Sequence, residues 1–193
     1  MKIIVALLAA ALPAASADFT LPEPKELIAT ARASAAQSAL EAFLDNLGDA
    51  VYEGSGGTLT RDGESYDITE TRVIVQRKTL HGHPGATLRF SGRAALRTNP
   101  AHIESVNSEL SLEVSGGSLI ILRDGKADAA TQLEKAPSAD AVIVTYRDAY
   151  YRYHPEVVET LSLTLKDGSL SVDRTRFTGG VERERESFSA LRR

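Results

Sequence analysis

Two periodicities divide the chain. From Lys25 to about Tyr52, Leu27, Ala31, Ala35, Leu40, Phe43, Leu44, Leu47 and Val51 recur at helical spacing. Alanines between Ala29 and Ala42 add intrinsic propensity. Pro24 suits a first helical turn, and Gly54 with Gly56-Gly57 suits an end. The other face carries Arg32, Gln37, Glu41 and Asp45, so the spacing predicts an amphipathic helix that covers a sheet or plugs a barrel. That face has mixed charge, whereas a helix lying in a membrane surface has a basic one.

After Gly57 the period falls to two. Ala86, Leu88, Phe90, Gly92, Ala94 and Leu96 alternate with Thr87, Arg89, Ser91, Arg93, Ala95 and Arg97. Val106, Ser108, Leu110, Leu112 and Val114 alternate with Asn107, Glu109, Ser111 and Glu113. Both read as strands with one buried face. Paired as a hairpin around Thr98–His102, they set Arg93 opposite Glu109, Arg89 opposite Glu113 and Phe90 opposite Leu112. Burial of the apolar face dominates this choice, since a shift by one residue turns every apolar group outward. Gly116-Gly117 and Asp167-Gly168 predict two-residue hairpin turns, and Asp62-Gly63 and Asp124-Gly125 mark two further turns. Tyr66 and Ile68 have the opposite parity to Val73 and Val75, which predicts a bulge near Glu70–Arg72. Lys126–Ala139 reads as a surface loop. In Val181–Phe188 charge alternates, placing Glu on one face and Arg on the other, a pattern suited to a sheet edge.

The predicted class is α+β: an N-terminal amphipathic helix packed on a mainly antiparallel sheet or partial barrel, forming one domain over residues 18–193. The motif order Ser-Gly-Gly, Arg-Asp-Gly, Val-Ile-Val, His-Pro and Thr-Leu occurs from Ser55 and again from Ser115. A duplication would arrange the sheet as two similar β units.

Composition narrows the setting. The 193 residues carry a formal charge of −4, without the basic excess of a nucleic-acid binder. There is no Cys, which excludes disulfides, thiolate catalysis and Cys-ligated metal. Met1-Lys2, the apolar run Ile3–Leu12 and Ala15-Ser16-Ala17 read as a secretory signal peptide cut after Ala17. Nothing later is long and apolar enough for a transmembrane helix. The expected location is periplasmic or secreted.

Candidate chemistry is sparse. His81-Gly82-His83 on a strand would point two imidazoles to one face, and with His154 could hold a transition metal. Tyr146, Tyr150, Tyr151 and Tyr153, interleaved with Arg147 and Arg152, offer amphipathic surfaces for a ligand or a partner. As strand residues they serve equally as core rim. No nucleophile elbow, phosphate loop or zincin motif occurs. The layout is similar to exported carrier and half-barrel proteins of bacterial envelopes. The expected role is a non-catalytic binding module holding an apolar small molecule or an envelope protein on a concave β face. A His-based metal protein and an envelope assembly protein are the alternatives.

Overall fold

The computed structural model describes residues 24–123, 126–127, 131–147 and 156–193. The signal-peptide reading, Asp124-Gly125, Tyr150, Tyr151, Arg152, Tyr153 and His154 lie outside them.

Helix α1 spans Pro24–Leu47. It stops before the expected Tyr52, because Gly48 adopts φ +61° and its N–H bonds the Leu44 carbonyl at 3.0 Å. That left-handed residue with its single bond is a helix C-cap. The chain then enters strand β1, Ala50–Gly54, which contains Val51.

Eleven more strands follow: β2 Gly57–Arg61, β3 Glu64–Leu80, β4 His83–Leu96, β5 Asn99–Ser115, β6 Ser118–Arg123, β7 Lys126–Ala127, β8 Thr131–Leu133, β9 Ala141–Arg147, β10 Val157–Lys166, β11 Ser169–Thr178 and β12 Val181–Arg192. The segment read as a loop over Lys126–Ala139 thus contains two short edge strands. All pairings are antiparallel and form one sheet, in the order β7-β6-β5-β4-β3-β1-β12-β11-β10-β9-β8, with β2 also joining β3 to β12. β6 and β8 approach each other from opposite ends of that order, so the sheet is curled. No ladder joins its two ends among the described residues, and it is not a clear barrel.

The predicted faces are the observed ones, but the predicted register is not. Phe90 pairs with Ser108, Leu88 with Leu110 and Arg89 with Glu109. The strands are displaced by four positions from the expected pairing. An even displacement leaves every apolar residue on its face, so alternation alone could not decide between them. The turn decides: β5 starts at Asn99, opposite Leu96, and Pro100, Ala101 and His102 are absorbed before Ala95 meets Ile103. The β3 bulge lies between Ile68 and Glu70, at Thr69, just before the expected stretch.

The two stretches of repeated motifs occupy unlike places. Gly56-Gly57 links β1 to β2, while Gly116-Gly117 is a tight turn between β5 and β6. The sheet does not show two like units.

The core is the concave face. Val73, Val75, Leu88, Leu110, Leu112, Val144, Leu161, Leu163 and Val172 meet Leu40, Phe43, Leu44 and Leu47 of α1. Residues 29–35 of the helix are all exposed. The turn at Gly117 meets the helix. Its N–H donates to Gln37 Oε1 at 2.8 Å, and its φ is +78°. A Cβ there would sit 2.4 Å from the Ala33 carbonyl oxygen. Gly117→Ala is therefore expected to cost roughly 1–2 kcal/mol from the backbone conformation alone, more if the helix cannot shift. Urea unfolding checks this, with Gly116→Ala, which meets open space at its own positive φ, as the comparison for strain without the clash.

Candidate functional site

Four buried charged side chains, Glu159, Arg174, Glu184 and Glu186, converge at one end of the curled sheet, on its inner face. Three successive rows across β9, β10, β11, β12 and β2 show how. The innermost row is apolar: Val142, Leu163, Val172 and Phe188 stand opposite one another, ending at Gly57. The next runs Val144, Leu161, Arg174, Glu186 and Leu59. The outermost runs Tyr146, Glu159, Arg176, Glu184 and Arg61. The inner face thus grades from hydrocarbon to alternating charge within four residues of strand.

The distances make the outer row a continuous ladder. Tyr146 Oη donates to Glu159 Oε2 at 2.8 Å. Arg176 Nε donates to Glu159 Oε1 at 2.8 Å, and its Nη1 lies 3.4 Å from Glu184 Oε2. Arg61 Nε donates to the same Glu184 oxygen at 3.0 Å and Nη1 to Glu104 Oε2 at 3.0 Å. Below them Arg174 Nη2 stands 3.0 Å from Glu186 and 3.5 Å from Glu184, with Nη1 3.4 Å from Ser108 Oγ. Glu159, Glu184, Glu186 and Arg174 are buried, whereas Arg61 and Glu104 are partly open to solvent.

Burial pushes the Glu186 carboxyl above its ordinary pKa, opposed by Arg174 and helped by Glu184. Burial works against the charge of Arg61, but Glu184 and Glu104 outweigh it and hold the guanidinium above its usual value. Tyr66 is pushed up to about 12, chiefly because its hydroxyl donates to Glu64 at 2.9 Å. Buried charges are retained only when each finds a partner, and clusters of this kind mark functional sites more often than plain cores do.

The ladder places β12 differently from its sequence reading. Beyond the bulge Glu and Arg do take opposite faces, with Glu184 and Glu186 in and Arg185 out, but Glu182 stays outside, paired with Arg185. Yet β12 is no edge. It lies between β11 and the β1–β2 pair. It can sit there because Arg61, Arg174 and Arg176 neutralise its inward carboxylates.

Among the proposed ligand residues, Tyr146 is inside the ladder and 1% exposed, while Arg147 is exposed. His81 and His83 lie far along β3 and β4 from that end. His81-Gly82 is itself the turn, with φ +47° and +88°, so the two histidines do not share a strand. The ladder was missed because its pairing depends on the register of β9 to β12 and on Arg61, which joins from more than a hundred residues away. The legible trace was Arg174 and Arg176, two apart, followed by alternating glutamates in the next strand.

The inner space beside Phe90, Thr71 and Glu186 amounts to about 10 Å³, room for no more than one water. A groove of about 770 Å³ lies elsewhere, over Glu70, Arg72, Arg93, Asn107, Ser189 and Leu191. It is open, with a lining of mixed charge that is as much apolar as polar. No family model, curated protein or solved structure matches the chain.

Proposed function

We propose that this is an exported, non-catalytic binding module whose concave β face takes an apolar chain in place of α1. The observation that carries the reading is how the helix is held. Four large side chains, Leu40, Phe43, Leu44 and Leu47, are buried against the sheet, while residues 29–35 stand in solvent. Among the described residues polar anchors are few: Gln37 to Gly117, Asp45 to Arg77, Asn46 to the Ala139 carbonyl at 3.0 Å, and Tyr52 Oη to the Leu47 carbonyl at 3.0 Å. Four such side chains contribute roughly 6–12 kcal/mol of burial. A saturated chain of about 14 methylenes contributes about 11 kcal/mol on the same scale. The helix and an acyl chain are therefore of comparable strength as occupants. Export is supported by the apolar run Ile3–Leu12 followed by Ala15-Ser16-Ala17.

A competing helix reduces the apparent affinity of the ligand by the fraction of molecules in which it is displaced. Weakening its anchors should raise that affinity. Palmitate, titrated calorimetrically below its micelle concentration, is expected to bind the protein one to one. The double variant Gln37→Ala, Arg77→Ala is expected to bind about fivefold tighter, since it loses two partly exposed polar contacts. Absence of palmitate binding, or equal affinity in the folded double variant, would overturn the reading.

A further inference from the structure

The β3–β4 turn holds an arrangement that the concave face does not use. Among the described residues three tight turns place a non-glycine residue at positive φ: Asp62 at 48°, Asp167 at 50° and His81 at 47°. Aspartate in such turns bonds its own neighbouring backbone. The His81 imidazole instead reaches β5, where Nδ1 stands 2.7 Å from Glu113 Oε2. Glu113 is 5% exposed, and the imidazole is 62% exposed. A buried carboxylate accepts, so Nδ1 carries the hydrogen, and in the neutral ring Nε2 keeps its lone pair.

A carboxylate on one ring nitrogen with the other nitrogen free is the arrangement that orients a metal-binding histidine. A second imidazole follows two residues on. His83 begins β4, and its Nε2 lies 3.5 Å from Ser115 Oγ. Ser115 follows Glu113 by two residues on β5, so both rings stand over the same face of that strand.

We infer that His81 and His83 form a surface site for a divalent transition ion of the nickel or zinc class, with Glu113 as the positioning residue. Imidazole ligands suit these ions. Among the described residues no group of three or more His, Asp or Glu is placed to hold a metal, so the two imidazoles would be the protein's ligands and water would complete the coordination shell. The site is independent of the concave face.

The test is calorimetric titration of Ni²⁺ into untagged protein in a non-coordinating buffer. One ion is expected to bind per chain. His81→Asn, whose residue accepts the positive φ, is expected to keep the fold by circular dichroism and abolish binding. His83→Gln is expected to weaken binding tenfold or more. Glu113→Gln should weaken it about tenfold, as loss of a carboxylate behind a ligating histidine does. His102→Gln is expected to change nothing. No saturable binding, wild-type affinity in folded His81→Asn, or a loss that follows His102→Gln would each overturn the site. Unchanged affinity in Glu113→Gln would overturn the role of that carboxylate.

Discussion

Arg174→Ala is expected to remove about 3–5 kcal/mol of folding stability at pH 7, the cost of breaking one side of a buried ion pair. Arg174 bridges Glu184 and Glu186 beneath the ladder. Without it Glu184 keeps Arg61 and Arg176, but Glu186 loses its one ion-pair partner among the described residues. The pH dependence identifies the mechanism. Burial already raises the Glu186 pKa in the folded protein, and Arg174 opposes the rise. A carboxyl with a raised folded pKa binds its proton more tightly when folded. Its penalty is full above that folded pKa and gone below its unfolded value of about 4.3. Stability from this group therefore increases as pH falls through that window. Arg174→Ala raises the folded pKa further, so the deficit should shrink on acidification from pH 7. Urea unfolding at several pH values checks this, and a deficit independent of pH would sink the account. The double variant Arg174→Met, Glu186→Leu removes both charges and is expected to lie within about 1–2 kcal/mol of wild type, because buried pairs can be exchanged for hydrocarbon at little net cost.

Phe43→Ala is expected to cost about 3–5 kcal/mol, as large-to-small changes of buried aromatics do. Phe43 is fully buried and central among the four helix side chains that meet the sheet. Because residues 29–35 make no compensating burial, the loss should fall mainly on helix docking. Native-state hydrogen exchange is expected to show α1 amides opening at a lower free energy than those of β10, β11 and β12. Exchange of helix and sheet only together, by global unfolding, would show that α1 is an integral part of the core and would count against its displacement by a ligand.

Some of this was legible locally. The helix existed in the spacing of Leu40, Phe43, Leu44 and Leu47, though its end at Gly48 was hidden because Val51, already in strand β1, continues the same spacing. The hairpin turns at Asp62-Gly63, Gly116-Gly117 and Asp167-Gly168 followed from residue types that accept positive φ. The site was less legible. Tyr146 was singled out for its composition, but its role depends on Glu159, its partner on the adjacent strand β10. His81 was singled out for a strand geometry that its own turn removes, and Glu113, the partner that orients it, lies 32 residues away.

Outside the bulged strand β12, the sequence alone determined which residues face inward, because alternation needs only burial of one face and each strand carries that pattern by itself. Only the tertiary structure decided register and neighbours. At the β11–β12 hairpin, Thr178 pairs with Val181 and Phe177 with Glu182, and continuing that register would set Arg176 against Arg183 and Arg174 against Arg185. Instead Arg183 is bulged out, with its carbonyl accepting the Asp62 N–H of the β2–β3 turn at 2.8 Å. That one extra residue turns Glu184 and Glu186 inward onto Arg176 and Arg174. A local pattern cannot anticipate it, because the bulge is held by a hydrogen bond from a turn more than a hundred residues earlier in the chain, and the charges it brings together are stable only once the whole sheet surrounds them.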